Sequence, residues 1–432
     1  MIYFLYDIVL LVATFFIIPY HWYRSASRGR RAAFAERFGY LESSRLEVVR
    51  GSETIWVHAV SVGETMAAKP LLKAIRERFP EKKIVLSSVT ETGRSIAEKL
   101  PEVDLCVYLP FDYRFAVRRV LRAIKPSLVI IVETEIWPNF LRTAAEMGIP
   151  TMLANGRISD RSYGRYLKMN WFFRPVLANF TALCMQTAED GRRISAIGAD
   201  PDRVHVARNL KYDIPSAVLS REEQDALKSG YRIPPDLTVL TAGSTHAGED
   251  EMVLAAYRAI LADGHACLLV LVPRHPERAG QVAELVGGNG INCFLRSTLD
   301  GRSEYFRSGE VLLVDTVGEL MKFYSLSDLV FVGGSLVPTG GHNVLEPASL
   351  GVPVVFGPHM SNFREIAAMI LASGGGIQVA DGAELTRTLK ELLTDSDRRI
   401  AMGRRGIELL DENRGATTRH MEIIAGLVNT SR

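Results

Sequence analysis

Short apolar, β-rich runs alternate with helical stretches along most of this chain, and few folds accept that rhythm. The first runs are Ile55–Val60, Ile84–Val89, Leu128–Val132, Thr151–Ala154 and Leu183–Met185. A polar stretch at 216–235, with Pro234 and Pro235 and with Pro215 just before it, breaks the pattern and reads as a linker. A second series follows: Thr238–Ala242, Ala266–Val272, Val311–Val314, Leu329–Val332 and Val354–Phe356. Strand–helix alternation predicts a parallel sheet covered by helices on both faces. Two such series predict an α/β chain of two doubly wound, Rossmann-like domains, 24–215 and 236–432. Ligands of such sheets collect at the carboxyl ends of the strands, so a cleft between the domains is the expected site. The last helix, near Arg414–Val428, is free to pack back on the first domain.

The first 23 residues stand apart. Ile2–Tyr20 is almost wholly apolar, with Asp7 its only charge. As a helix it would span about 28 Å, near the thickness of a bilayer core. Tyr20, Trp22 and Tyr23 follow as interfacial aromatics would, and then Arg24, Arg28, Arg30 and Arg31. Positive charge after the span places the remainder on the cytoplasmic side. A helix lying in the interface is the alternative, since Asp7 and Pro19 shorten the clean span. On either reading 1–23 is an anchor, and the domain cores are expected only after residue 50. Elsewhere, 47% hydrophobic and 23% charged residues fit large globular cores. A net charge of 51 − 49 = +2 gives no global field for nucleic acid. Cys106, Cys184, Cys267 and Cys293 are far apart, which excludes a CxxC zinc site and suits a reducing compartment.

Polar clusters fall just after the expected strands. In His58-Ala59-Val60-Ser61-Val62-Gly63-Glu64, a carboxylate opens a helix. Glu64 is either a helix-start cap or a general base that takes a proton from a hydroxyl. Glu133 and Glu135 follow four apolar residues and would share a side if the strand continued. Lys211, in Asn209-Leu210-Lys211-Tyr212-Asp213, is either solvated or a partner for a developing negative charge. Four loops of the second domain carry ligand-type residues: 243–250, Pro273-Arg274-His275-Pro276-Glu277-Arg278, Asp315-Thr316-Val317-Gly318-Glu319 and Gly333-Gly334-Ser335 through Glu346. In the last, glycines would bring backbone N–H groups to an anion, and a carboxylate in the following helix would bind ribose hydroxyls. Together they predict a nucleotide or nucleotide-sugar site.

With these motifs the chain resembles the 3-deoxy-D-manno-octulosonic acid (Kdo) transferases of Gram-negative lipopolysaccharide synthesis, from about Tyr3 to Gly415. The matching stretches are 58–64, 133–139, 209–213, 243–246, 273–278 and 333–346. The resemblance implies a GT-B fold, CMP-Kdo as donor, an acylated lipid A precursor (lipid IVA) as acceptor and no metal. It implies Glu64 as proton acceptor, with Glu133 and Lys211 stabilising the transition state. It implies CMP contacts at Pro273, Arg274, Val317, Gly318, Glu319, Asn343, Val344, Leu345 and Glu346. Gly156 stands where Ala is expected, Arg208 where Gly is usual, Val317 where Met is usual and Ala35 where Gly is usual. The expected protein is an inverting glycosyltransferase at the cytoplasmic face of the inner membrane, with basic residues Arg24 to Arg37 facing anionic lipid. The alternatives are a nucleotide-sugar epimerase of the same shape, which needs no anchor, and a tethered nucleotide-sugar-binding protein, in which Glu64 is expendable.

Overall fold

A computed structural model describes residues 2–26, 33–214 and 218–430. Arg28, Arg30 and Arg31, Pro215 and the first two residues of the expected linker, 216–217, lie outside the described residues. The chain forms two compact units, 1–213 with 413–432, and 214–412.

Unit 1 holds seven parallel strands: β1 (Thr54–His58), β2 (Lys83–Ser88), β3 (Leu105–Tyr108), β4 (Pro126–Val132), β5 (Thr151–Gly156), β6 (Ala182–Met185) and β7 (Val204–Val206). Their order in the sheet is β3-β2-β1-β4-β5-β6-β7. Unit 2 repeats the plan with β8 (Thr238–Thr245), β9 (Cys267–Pro273), β10 (Cys293–Leu295), β11 (Val311–Leu313), β12 (Leu329–Val332), β13 (Val354–Phe356) and β14 (Gly376–Gln378), ordered β10-β11-β9-β8-β12-β13-β14. The central strands are apolar on both faces because helices cover both. Alternate residues divide accordingly. Trp56, Val129, Ile131 and Leu153 join one core of unit 1, whereas Ile55, Val57, Ile130 and Met152 join the other.

The strands the sequence rhythm does not reveal are β3, β7, β10 and β14, the four outermost. β7, β10 and β14 are three residues each and part-solvated, so their hydrophobic signal is weak; β3 is largely buried but only four residues long. Within the expected linker, Arg221–Gly230 forms a helix closed by a Ser220–Glu223 capping box. Two prolines and a polar surface disguised it.

The expected anchor forms one helix, Ile2–Ala26. Among the described residues no helix is long and apolar enough to cross a membrane. Its first turns belong to unit 1, contrary to the expectation that the core begins after residue 50. Tyr6 donates to Asp112 at 2.8 Å, Asn139 donates to Asp7 at 2.6 Å, and Tyr3 donates to the Pro175 carbonyl at 3.2 Å. These polar side chains bond to the body of unit 1: Tyr3 and Tyr6 are half-buried, and Asp7 stays exposed. Phe4, Val9, Leu11, Val12, Phe15 and Phe16 turn outward and are exposed. Arg37, expected at a lipid surface, is buried instead; it donates to the Val89 carbonyl and lies over the Tyr108 ring.

The final helix, Ala416–Thr430, packs in unit 1, where Ala416, Ile424 and Val428 enter one core. Tyr3 of the first helix packs on the other. Helices from the two ends of the sequence therefore lie against opposite faces of one sheet.

Candidate active site

The strand ends of unit 1 gather three charged residues. Glu64 lies in the first turn of the helix Val62–Arg78, N-capped by Ser61. Its carboxylate accepts from Val60 N at 2.7 Å and from the Ser61 hydroxyl at 3.0 Å. Both sequence readings meet here, because the group caps the helix and is also half-buried. Burial is the main cause that pushes its carboxyl up to about 7, against the Val60 hydrogen bond and helped by the nearby Glu133 and Glu135 charges.

β4 ends at Val132, and Glu133 takes a left-handed backbone, φ 60°. The strand does not continue, so the alternation argument for Glu133 and Glu135 fails. A non-glycine residue held there is strained by about 1 kcal/mol or more, and such strain collects at functional sites. Lys211 sits in the short 3-10 turn Leu210–Tyr212 and pairs with Glu133, Nζ to Oε1 at 2.9 Å. Burial raises the Glu135 carboxyl, with Glu133 adding to the effect.

A buried polar frame that the sequence did not disclose sets Lys211 in place. Asn155 accepts from Leu210 N at 3.0 Å through its side chain. Its backbone N–H donates to His420 Nε2 at 3.0 Å, and its carbonyl accepts from Gln186 at 3.0 Å. Gln186 in turn accepts from Asn209, whose side chain caps the Lys211 turn. The one sequence clue is a polar Asn closing an apolar strand. Arg208 has φ 66°, which accounts for the glycine usual there, and its guanidinium reaches the Arg414 carbonyl at 2.7 Å. A Cβ at Gly156 would lie 2.7 Å from Met185 Sδ, so glycine at 156 goes with methionine at 185.

In unit 2 the proposed CMP residues stand at the ends of β9, β11 and β12. Pro273 is buried and Arg274 exposed. Val317 is 85% exposed, and Gly318 has φ 91°. Glu319 accepts from Tyr231 at 3.0 Å and from Arg296 at 3.2 Å. Burial raises its carboxyl, but hydrogen bonds from Thr316 and Tyr231 with the Arg296 charge outweigh it and hold the group low. Asn343 caps Leu345 N at 3.1 Å and lies 3.4 Å from Glu346. Val344 and Leu345 are fully buried.

The glycine loop differs from its sequence reading. The helix after it is four residues, Leu345–Ala348, and does not start at the glycines. The N–H groups of Gly334, Ser335 and Leu336 already hold an anion, the buried Glu249 carboxylate, at 2.6, 2.9 and 2.9 Å. Gly333 is needed for close approach, since a Cβ there would lie 2.7 Å from the Ser244 carbonyl. The cradle binds the protein's own side chain and ties two loops together.

Residues 32–214 match a family model described as 3-Deoxy-D-manno-octulosonic-acid transferase (kdotransferase). The 3-deoxy-D-manno-octulosonic acid transferase of Haemophilus influenzae is 35% identical over 396 residues, 91% of this chain and 91% of that one. The enzyme of that name from Chlamydophila psittaci is 30% identical, over 97% of this chain and 95% of the relative. Among solved structures, UDP-GlcNAc 2-epimerase from Neisseria meningitidis bound to UDP-GlcNAc matches with TM-score 0.54 at 13% identity, covering 88% of this chain and 100% of that chain. A glycosyltransferase from Rickettsia africae gives 0.52 at 12%, covering 88% and 99%. At such identities the structural likeness concerns the fold alone, two parallel-sheet α/β domains of the GT-B-like kind.

Proposed function

This chain belongs to the 3-deoxy-D-manno-octulosonic acid transferase family, glycosyltransferases of lipopolysaccharide synthesis, and from that premise we propose how its residues carry the transfer. The donor is CMP-Kdo, held by unit 2 through Pro273, Arg274, Val317, Gly318, Glu319 and Asn343 to Glu346. The acceptor is lipid IVA. A hydroxyl oxygen of the acceptor sugar attacks the anomeric carbon of Kdo from the side opposite CMP. The bond from that carbon to the phosphate oxygen breaks, CMP leaves with the electron pair, and configuration inverts. Glu64 receives the hydroxyl proton, and Lys211, oriented by Glu133, offsets developing negative charge. No metal is given a role.

One observation carries this reading: the Glu64 carboxyl, pushed up to about 7, beside the Glu133–Lys211 pair. A base is best placed when its proton affinity lies near the working pH. The epimerase alternative shares the fold and loses to family membership.

The localisation is the cytoplasmic face of the inner membrane, with the N-terminal helix as contact. Its outward residues Phe4, Leu11, Phe15 and Phe16 support this. So does a groove of about 700 Å³ lined by Leu11, Tyr113 and Phe115 with Asp7 and the four arginines Arg114, Arg118, Arg119 and Arg122, basic on balance and suited to an anionic, acylated molecule.

The deciding experiment incubates the full chain with CMP-Kdo and lipid IVA, with and without EDTA. The mass of the product and the anomeric configuration of the new bond are read. A product heavier by one or more Kdo units, with inverted configuration and unaffected by EDTA, is expected. Absence of product, retention of configuration or loss of transfer in EDTA each overturns the corresponding part.

A further inference from the structure

Three histidines meet at the strand ends of unit 2 with no part in the scheme above. His246 follows β8, His275 follows β9, and His342 lies in the loop after β12. The Nε2 atoms of His246 and His342 are 2.9 Å apart, with the two ring planes within 9° of parallel. His275 stands edge-on to His246 at 5.8 Å. Two imidazoles approach nitrogen to nitrogen at this distance only if one Nε2 carries a proton and the other offers its lone pair. In the neutral pair the donating ring therefore has a bare Nδ1. One more proton enters there and leaves the N–H···N bond intact. A second would set N–H against N–H and break the contact. The pair holds no extra proton or one.

The surroundings decide which. Glu249, on the helix that follows His246, has its carboxylate occupied by the N–H groups of His246, Gly334, Ser335 and Leu336. Arg274, Arg278 and His275 face the pair. Arg278 is matched by Asp250, whereas Arg274 has no side-chain partner among the described residues. Burial, then the Arg274 charge, pushes His342 down to about 4. Burial also lowers His246, opposed by Glu249 and reinforced by His275, Arg278 and Arg274. With the N–H groups of Gly334, Ser335 and Leu336 already engaged, side chains at these strand ends are free to meet an incoming anion.

Resting on the reading of unit 2 as the CMP-Kdo-binding half, we propose that the His246–His342 pair is a phosphate-binding element: neutral in the empty site, it takes up one proton as the donor phosphate settles beside Arg274. The anion offsets the arginines and raises the proton affinity of the pair. The proton comes from solvent and adds to the bare Nδ1; no covalent bond to carbon is made or broken. As CMP departs, its phosphate passes from a singly charged diester to a doubly charged monoester. A monocationic pair beside it favours that departure. The sign of the linkage follows. Uptake on binding makes CMP affinity fall as pH rises through the value the pair has in the complex.

Calorimetric titration of the full chain with CMP at pH 7.5, in buffers of different ionisation enthalpy, reads the uptake directly. Net uptake is expected in the wild type and its loss in His342→Gln and His246→Gln, with CMP bound about ten- to a hundredfold more weakly. His275→Gln should keep the uptake. Nitrogen-15 histidine spectra of the wild type, with and without CMP, give a readout that needs no variant. They should show one imidazolium in the complex and none before. Tight CMP binding with no uptake, or with equal uptake in His342→Gln, overturns the pair's role and leaves the donor reading standing. No CMP binding by the wild type overturns both.

Discussion

Glu64 meets two demands with one carboxyl group, and they pull in opposite directions. As a cap it accepts hydrogen bonds that favour the carboxylate; as a half-buried group it is pushed toward the acid. The push wins, so the group is protonated below about 7 and free to act as a base above it. Turnover should therefore rise with pH through a limb near 7. Glu64→Gln should lower kcat by about 10²–10⁴-fold and remove that limb while CMP binding is kept, as steady-state rates across pH and a CMP titration would show. A limb that survives in the variant assigns it to another group. Gly333 makes a different demand, for space. Gly333→Ala should destabilise unit 2 by about 1–3 kcal/mol, read as a lowered Tm, because the added methyl meets backbone rather than a yielding side chain. Glu133 was legible as a single residue because it closes an apolar run, and Glu64 because it opens a helix just after a strand; Lys211, in a polar stretch, stood out only through the family resemblance. The Asn155–His420 bond was not, because it joins positions 265 residues apart in the chain.

At the level of elements, the interior strands announce themselves because burial on both faces makes them continuous apolar words. The outer four do not; Val204–Val206, for instance, is largely exposed. The first helix illustrates a subtler misreading. Its apolar composition is what a lipid-facing segment needs, but Tyr3, Tyr6, Asp7 and Thr14 form a polar seam bonded to the body of unit 1 that composition hides. At the seam, Asp112 also accepts from Asn139 N and Phe140 N, satisfying the open end of the helix Pro138–Glu146. Burial raises the Asp112 carboxyl to about 7 despite these bonds. Removing residues 2–23 should thus cost unit 1 about 2–5 kcal/mol and lower its melting temperature, beyond any change in membrane binding. The outward face separates from this. Phe15→Ser with Phe16→Ser should leave Tm within a degree or so yet weaken binding to anionic liposomes about ten- to a hundredfold in sedimentation. Unchanged sedimentation would remove the helix from membrane contact.

For the whole molecule, the decisive fact is that 413–432 returns to unit 1 after unit 2 is complete. The return also reaches the turn that carries Lys211, through Asn155. His420 is held by a 2.7 Å contact from Nδ1 to the Ala416 carbonyl, which fixes the proton there and leaves Nε2 to accept from Asn155. Burial lowers its proton affinity, so it is neutral in the fold. The unfolded chain protonates this histidine at about 6.5 while the folded one resists. Its contribution is therefore present above that pH and lost as pH falls toward the folded value. The raised Glu64 and Asp112 carboxyls act in the opposite sense, so the His420 share is read as a difference: the Tm advantage of the wild type over His420→Gln should shrink as pH drops below about 6.5 in calorimetric scans. The same return bears on biosynthesis. A ribosome delivers residues in order, so one face of the unit 1 sheet, covered in part by the helix Val62–Arg78, waits for the rest of its cover until all of unit 2 has emerged. Unit 2, continuous in sequence, is free to finish first. The first half of this polypeptide to be made is then the second to be completed, and during that interval its uncovered face is what a chaperone would meet.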